Sequence, residues 1–167
     1  INKANFYVND KKLFLTLLAD ELKKVINKAN KGNYKIAIRL NGTSDLDFLG
    51  MLKRNDLFDY NLTPENVVFY DYTKIIGKAL KYKNDKKYIL TFSKSENNDN
   101  DVKIAFENNI NVAAVFANEL PKTYNNKTVV DGDKSDLIML NHSNVILGLK
   151  AKGEAKKDKT GFTIINY

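Results

Sequence analysis

The chain has no cysteine and a single histidine, His142. That excludes a cysteine nucleophile, a disulfide framework, and any thiolate or multi-histidine metal site within these residues. A Ser–His–Asp triad could draw only on His142, whose setting, Leu140-Asn-His-Ser-Asn144, is turn-like and has no nucleophile-elbow pattern. Lack of cysteine also suits a reducing compartment. Arginine is scarce: Arg39 and Arg54 are the only two among 27 basic residues. Forked recognition of phosphate or base edges favours arginine, so the positive charge here is carried by lysine point charges. No window approaches the roughly 18 consecutive apolar residues of a membrane span, and nothing resembles a cleavable signal, so no membrane partner is expected. The first residue is Ile1, from which a processed or trimmed product is expected.

What is present is enough for a packed core. The 167 residues are 43% apolar and include nine Phe and nine Tyr. One domain of this size buries roughly 70% of its unfolded surface. The net charge of +7 fits a polyanion partner. The same lysine and asparagine abundance would follow from an AT-rich coding sequence, and composition leaves both readings open.

The organising stretch is Ile36-Ala-Ile-Arg-Leu-Asn-Gly-Thr-Ser-Asp-Leu-Asp47, a β-favouring run that breaks into small polar residues and carboxylates. The pattern recurs at Val67–Lys74, Tyr88–Glu96 and Val145–Lys152. Each strand delivers polar groups at its carboxyl end, where ligands of α/β sheets sit. Asn9-Asp10 reads as the cap of a helix over about 10–30, with Phe14, Leu17, Leu18, Leu22, Val25, Ile26 and Ala29 on one face and Gly32 as its stop. Further short helices are predicted over 48–53 and 102–108, with Asn109 in a left-handed position, and a helical turn or loop over 75–80. Strands are predicted over 35–40, 67–71, 88–92, 111–116, 145–149 and 162–166, the last two separated by a polar arm. We therefore expect a single α/β domain over 1–167, a mostly parallel sheet with flanking helices, with a partial (half-) β/α barrel as one form. A complete barrel needs roughly 200 residues or more.

Four clusters could carry chemistry. Asp131, Asp133 and Asp136 fall within six positions around Gly132, as oxygen ligands for Mg²⁺ or another divalent cation do; an Asx-rich turn with Asp136 as a cap is the alternative. Tyr72 could stack a base and Lys74 neutralise a phosphate, with Asp71 on the opposite face; tyrosines tied into packing are the alternative. Ser95 and Glu96 offer a hydroxyl and a carboxylate. Lys150 and Lys152 open a lysine-rich arm, either a phosphate-contacting one or a solvated hairpin.

Arg39–Asp45, Phe69–Lys74, Leu90–Asn97, Asn111–Phe116, Val130–Leu137, Gly148–Gly153 and Thr160–Phe162 together resemble the gene product 88 domain of phages and plasmids, in the family's order over about residues 1–163. The resemblance implies a protein of mobile genetic elements, working in the cytoplasm of a bacterial host cell, and names no reaction. Family members resemble one another in a cysteine-containing segment upstream of the part matching Ile1–Asp10, so we expect such a segment to be missing here.

The leading expectation is an accessory protein that binds or processes nucleic acid or nucleotides at the carboxyl rim of its sheet. Asp45, Asp71, Glu96 and Asp131 would be catalytic, and Asn41, Ser44, Tyr72, Lys74, Ser95, Lys150 and Lys152 would hold the ligand. A different class is a non-catalytic module that binds a host protein, for instance to block a defence system. A third is a metal-dependent hydrolase, which requires Asp45, Asp71 and Asp131 to converge on a cation.

Overall fold

A computed structural model describes residues 3–165. The chain forms two compact units: one runs up to Leu40 and resumes at Leu46–Phe69, and the other comprises Asn41–Asp45 and the chain from Tyr70 onward.

In the first unit, α1 (Lys3–Asn9) precedes α2 (Lys11–Gly32). The predicted cap is present: the Asp10 carboxylate accepts from the Leu13 N–H at 3.0 Å. At the far end the left-handed residue is Asn33, φ 51°, one position beyond Gly32, since asparagine tolerates this conformation almost as well as glycine does. The buried face is Leu15, Ala19, Leu22, Ile26 and Ala29, rotated from the predicted one, while Leu17 and Val25 are exposed. Each Leu or Ile buried there contributes about 2 kcal/mol. Phe14 stacks on Phe48 at 5.9 Å, and Tyr7 meets both rings edge-on, so α3 (Phe48–Arg54) is anchored by aromatic packing. The strand β1 (Ile36–Ile38) pairs in parallel with the first residues of β2 (Val67–Thr73).

The second unit carries α4 (Ile76–Tyr82), β3 (Tyr88–Ser93), α5 (Asp99–Glu107), β4 (Val112–Phe116), β5 (Thr123–Tyr124), β6 (Lys127–Asp131), β7 (Ile146–Lys150) and β8 (Thr163–Ile164). The helix α5 begins three residues before its predicted start, because Asp99 and Asp101 in the first turn complement the amino end of the helix. Asn109 is left-handed, φ 58°, as predicted. Ala79 of α4 and Val102 and Ala105 of α5 pack with Phe92 and Val112 in one core cluster.

The sheet is the predicted α/β type. It is open, in the order β1-β2-β3-β4-β7-β6-β5, and is not closed into a barrel. The pairs β3–β4, β4–β7, β6–β7 and β4–β8 are parallel, and β5–β6 is antiparallel. Two features of this order position the site. After β4 the chain passes over to β6 before β7 returns between them, so the strand order reverses at β4 and β7. Along its other edge, β4 pairs with β3 at Val112 and Ala113 and with β8 at Val115 and Phe116, so β8 takes over where β3 ends. Gly148 in β7 is required by close approach, as a Cβ there would lie 2.7 Å from Val129 Cγ1.

The predicted arm is not a hairpin, since β8 pairs with β4 and not with β7. Residues Gly153–Lys157 form a 3-10 turn, and the Asp158 carboxylate accepts from the Thr160 N–H and hydroxyl and the Thr163 N–H. Those bonds, with Thr163 N–H the strongest influence, lower its pKa to about 2. Of the predicted last strand, Asn166 lies outside the described residues.

Candidate functional site

Two groups of predicted residues lie at strand ends in the second unit, and they are built differently. The first surrounds β2. Asp71 is wholly buried and accepts from the Asn41 N–H at 3.0 Å, the Asn41 Nδ2 at 2.9 Å and the Tyr88 hydroxyl at 3.1 Å. Burial raises its carboxyl above the ordinary range, against the pull of the Asn41 and Tyr88 bonds. The Asn41 carbonyl oxygen accepts from the Ser44 hydroxyl at 2.7 Å, closing the turn after β1. Asp45 accepts from the Thr73 hydroxyl at 2.9 Å, the Lys74 N–H at 2.7 Å and the Lys78 Nζ at 3.1 Å, and Lys78 is itself buried. The carboxylates here bind their own chain's donors, tying the loop after β1 to the end of β2.

The carboxylates of the Asp131 loop meet donors of their own chain. Among the described residues no group of three or more His, Asp or Glu side chains is placed to hold a metal ion, so Asp131, Asp133 and Asp136 do not form one, nor do Asp45, Asp71 and Asp131. The physical reason is prior engagement. Asp131 accepts from the Asp133 N–H, and Asp133 accepts from the Lys150 N–H at 2.8 Å and Lys152 Nζ at 2.7 Å. The Lys150 N–H first, then Lys152, hold the Asp133 carboxyl below the usual carboxylate range. Asp136 is exposed, and the 3-10 turn that follows has Leu137 at its amino end with no side-chain cap; the Leu137 N–H donates to the Ser135 hydroxyl.

The second group opens outward. At the carboxyl ends of β4 and β7, where the strand order reverses, Ala117, Asn118, Glu119, Lys150, Lys152, Gly153 and Lys156 are among the residues lining a crevice of about 450 Å³. Ligands of open α/β sheets bind at this topological position. Lys150 pairs with Glu119 at 3.2 Å and Lys152 with Asp133 at 2.7 Å, while Lys156 forms no ion pair among the described residues. The site is thus cationic, with two of its lysines held by exposed acids.

A family model described as Gene product 88 matches residues 1–165. The chain belongs to the Gene product 88 family. No curated protein and no solved structure matches it.

The remaining predicted residues of this Gene product 88 chain are spread along the rim. Lys74 is exposed, with its Nζ 5.9 Å from the centre of the Phe162 ring; Tyr72 is half-buried. The Ser95 N–H donates to the Asn98 side chain at 2.7 Å within the loop before α5, and Glu96 is exposed. The lone histidine ends a 3-10 turn and its carbonyl accepts from Asn111 at 2.8 Å. Another cavity, about 710 Å³ and lined by α2 and residues 53–64, lies in the first unit; its Lys53 is paired with Asp59 at 3.0 Å. Sequence reasoning did not single out Tyr88, Lys78, Glu119, Lys156 or Phe162. Lys78 and Tyr88 sit one helical turn or one strand away from predicted residues and carry no motif. Lys156 lay inside the predicted arm without being distinguished from its neighbours. No helix among the described residues is long and apolar enough to cross a membrane.

Proposed function

We propose that this chain is an accessory protein of a mobile genetic element, phage or plasmid, that binds nucleic acid or nucleotides through their phosphates at the crevice between the ends of β4 and β7. The observation that carries the reading is the gathering of Lys150, Lys152 and Lys156 on one crevice at the point of strand reversal. Its volume falls within the roughly 300–1,000 Å³ of small-ligand sites, enough for a nucleotide or one segment of a chain. Lysine suits this role as a point charge, and a phosphate oxygen can take the place of the Glu119 or Asp133 carboxylate opposite each ammonium. The family membership agrees with an origin in mobile elements.

The test is titration of a labelled oligonucleotide at several salt concentrations. Replacing Lys152 and Lys156 by Ala should weaken binding about tenfold at low salt and reduce the log–log salt slope by about one per lysine. Unchanged affinity and slope would overturn the reading.

A further inference from the structure

The proposed phosphate crevice has an aromatic neighbour on the same unit. Phe162 immediately precedes β8, and the β4–β8 register sets Thr163 opposite Val115, so Phe162 stands level with Ala114. This is one residue past the last β3–β4 pair, Ser93 with Ala113, in the space that β3 vacates. The ring is half-buried, and Lys74, which forms no ion pair among the described residues, brings its ammonium to 5.9 Å from the ring centre. Chain connections run directly from there to the crevice. The Thr163 hydroxyl donates to the Ala155 carbonyl at 2.9 Å, the Ala117 N–H to the Ile164 carbonyl at 2.9 Å, and the Ala151 N–H to the Phe116 carbonyl at 2.9 Å. Ala117 and Ala151 line the crevice itself.

The separation decides the ligand's size. From the level of Ala114 to Ala117, the residue after β4, is three residues, about 10 Å at the rise of a parallel strand, plus about 4.8 Å sideways from β8 to β4. Combined, that is roughly 11 Å between backbone levels, more than the spacing of successive phosphates along a strand, which exceeds the roughly 3.4 Å axial rise per nucleotide. A short chain is long enough to place a phosphate in the crevice and a base of a neighbouring nucleotide at the ring. A half-buried ring can meet a base face only where the base is unpaired, since a duplex keeps its bases stacked inside.

We infer that the ligand is a single-stranded polynucleotide, with one base stacked on Phe162, one phosphate near Lys74 and the phosphates that follow in the Lys150–Lys152–Lys156 crevice. This rests on the proposed phosphate-binding role of that crevice and narrows its substrate class.

The experiment measures binding of thymidine monophosphate, of oligothymidylates two, four and eight nucleotides long, and of a duplex of the longest. Affinity should climb steeply between the dinucleotide and the tetranucleotide, and single strand should exceed duplex. Phe162→Ala and Phe162→Leu should each weaken octamer binding roughly tenfold and leave the monophosphate unaffected. Leucine keeps the apolar bulk, so equal losses separate stacking from packing. Suppose instead that the monophosphate binds as tightly as the octamer, both Phe162 variants are silent, and the Lys152 and Lys156 variants weaken binding. The inference then falls while the crevice reading stands. Preference for duplex also overturns the inference. If no probe binds at any length, both fall.

Discussion

Asp71 and Asp133 are the same side chain in opposite situations. Asp71 has no solvent exposure and accepts from Asn41 and Tyr88, neither of them a cation, and burial pushes its carboxyl upward. Asp133 is exposed, meets the Lys150 N–H and the Lys152 ammonium, and is pulled downward. The difference separates a strand end whose polar groups are engaged within the chain from one whose charged groups are exposed. Around β2 the polar groups satisfy one another inside the protein, so any ligand there would have to displace buried bonds. At β4 and β7 the partners are solvent-exposed acids, whose pairing with lysine is worth about 1 kcal/mol or less and yields readily to a stronger anion.

The largest expected effect lies at the buried end. Asp71→Ala would strand three donors in a region closed to water, at a cost of about 3 kcal/mol, or roughly 10 °C in melting temperature at this chain length. The pH response has a definite sign. A carboxyl whose pKa is raised in the folded state holds its proton longer there than in the unfolded chain. Its contribution is therefore greatest below the ordinary value of 3.8 and declines as pH climbs through the raised one. Asp71→Asn should flatten that decline in urea midpoints measured from about pH 4 upward. A decline of equal steepness in the variant would show that another group is responsible. An Asp71→Ala protein with the original melting temperature would remove the contrast between the two ends altogether.

Much of this was legible in the chain, for identifiable reasons. The period of α2, the Asp10 cap and the left-handed Asn109 are local signals, and local physics decides them. The carboxyl-end polar clusters at Asn41–Asp45 and Lys150–Lys152 were visible because an apolar strand gives way abruptly to polar residues. What was not legible is pairing at a distance. Nothing in Asp71-Tyr-Thr-Lys74 shows that its carboxylate will be met by Tyr88, 17 positions on. Nor does the Asp131–Asp136 run show that Asp133 will turn to Lys150 and Lys152 instead of its neighbouring acids. Phe162 belonged to a matching segment but was not read as a site residue, because its position, with β8 occupying the space left by β3, depends on sheet order.

Asp45 tests the comparison from an intermediate position, half-exposed but joined to a buried lysine at 3.1 Å. A double-mutant cycle of Asp45→Asn and Lys78→Met should give a coupling of about 1–2 kcal/mol in urea denaturation, with oligonucleotide binding unaltered in all three variants. The methionine preserves the stem's packing, so the coupling isolates charge and hydrogen bond. If Asp45→Asn instead left stability intact and abolished binding, the β2 end would belong to the functional surface, and the division drawn between the two strand ends would be misplaced.

The smallest effect is the sharpest probe of the open end. Glu119 is 90% exposed and holds Lys150 at 3.2 Å, so Glu119→Gln removes a competing anion without disturbing a buried group. Asp133→Asn would be less clean, because Asp133 also accepts the Lys150 N–H that helps shape the end of β7. An exposed pair contributes about 0.2–1 kcal/mol. Its loss should leave the melting temperature within a degree or so and tighten oligonucleotide binding about two- to threefold, with a steeper salt dependence as Lys150 becomes free to meet phosphate. Glu119→Gln binding no tighter at low salt would mean that Lys150 does not face the ligand, leaving Lys152 and Lys156 to carry the crevice.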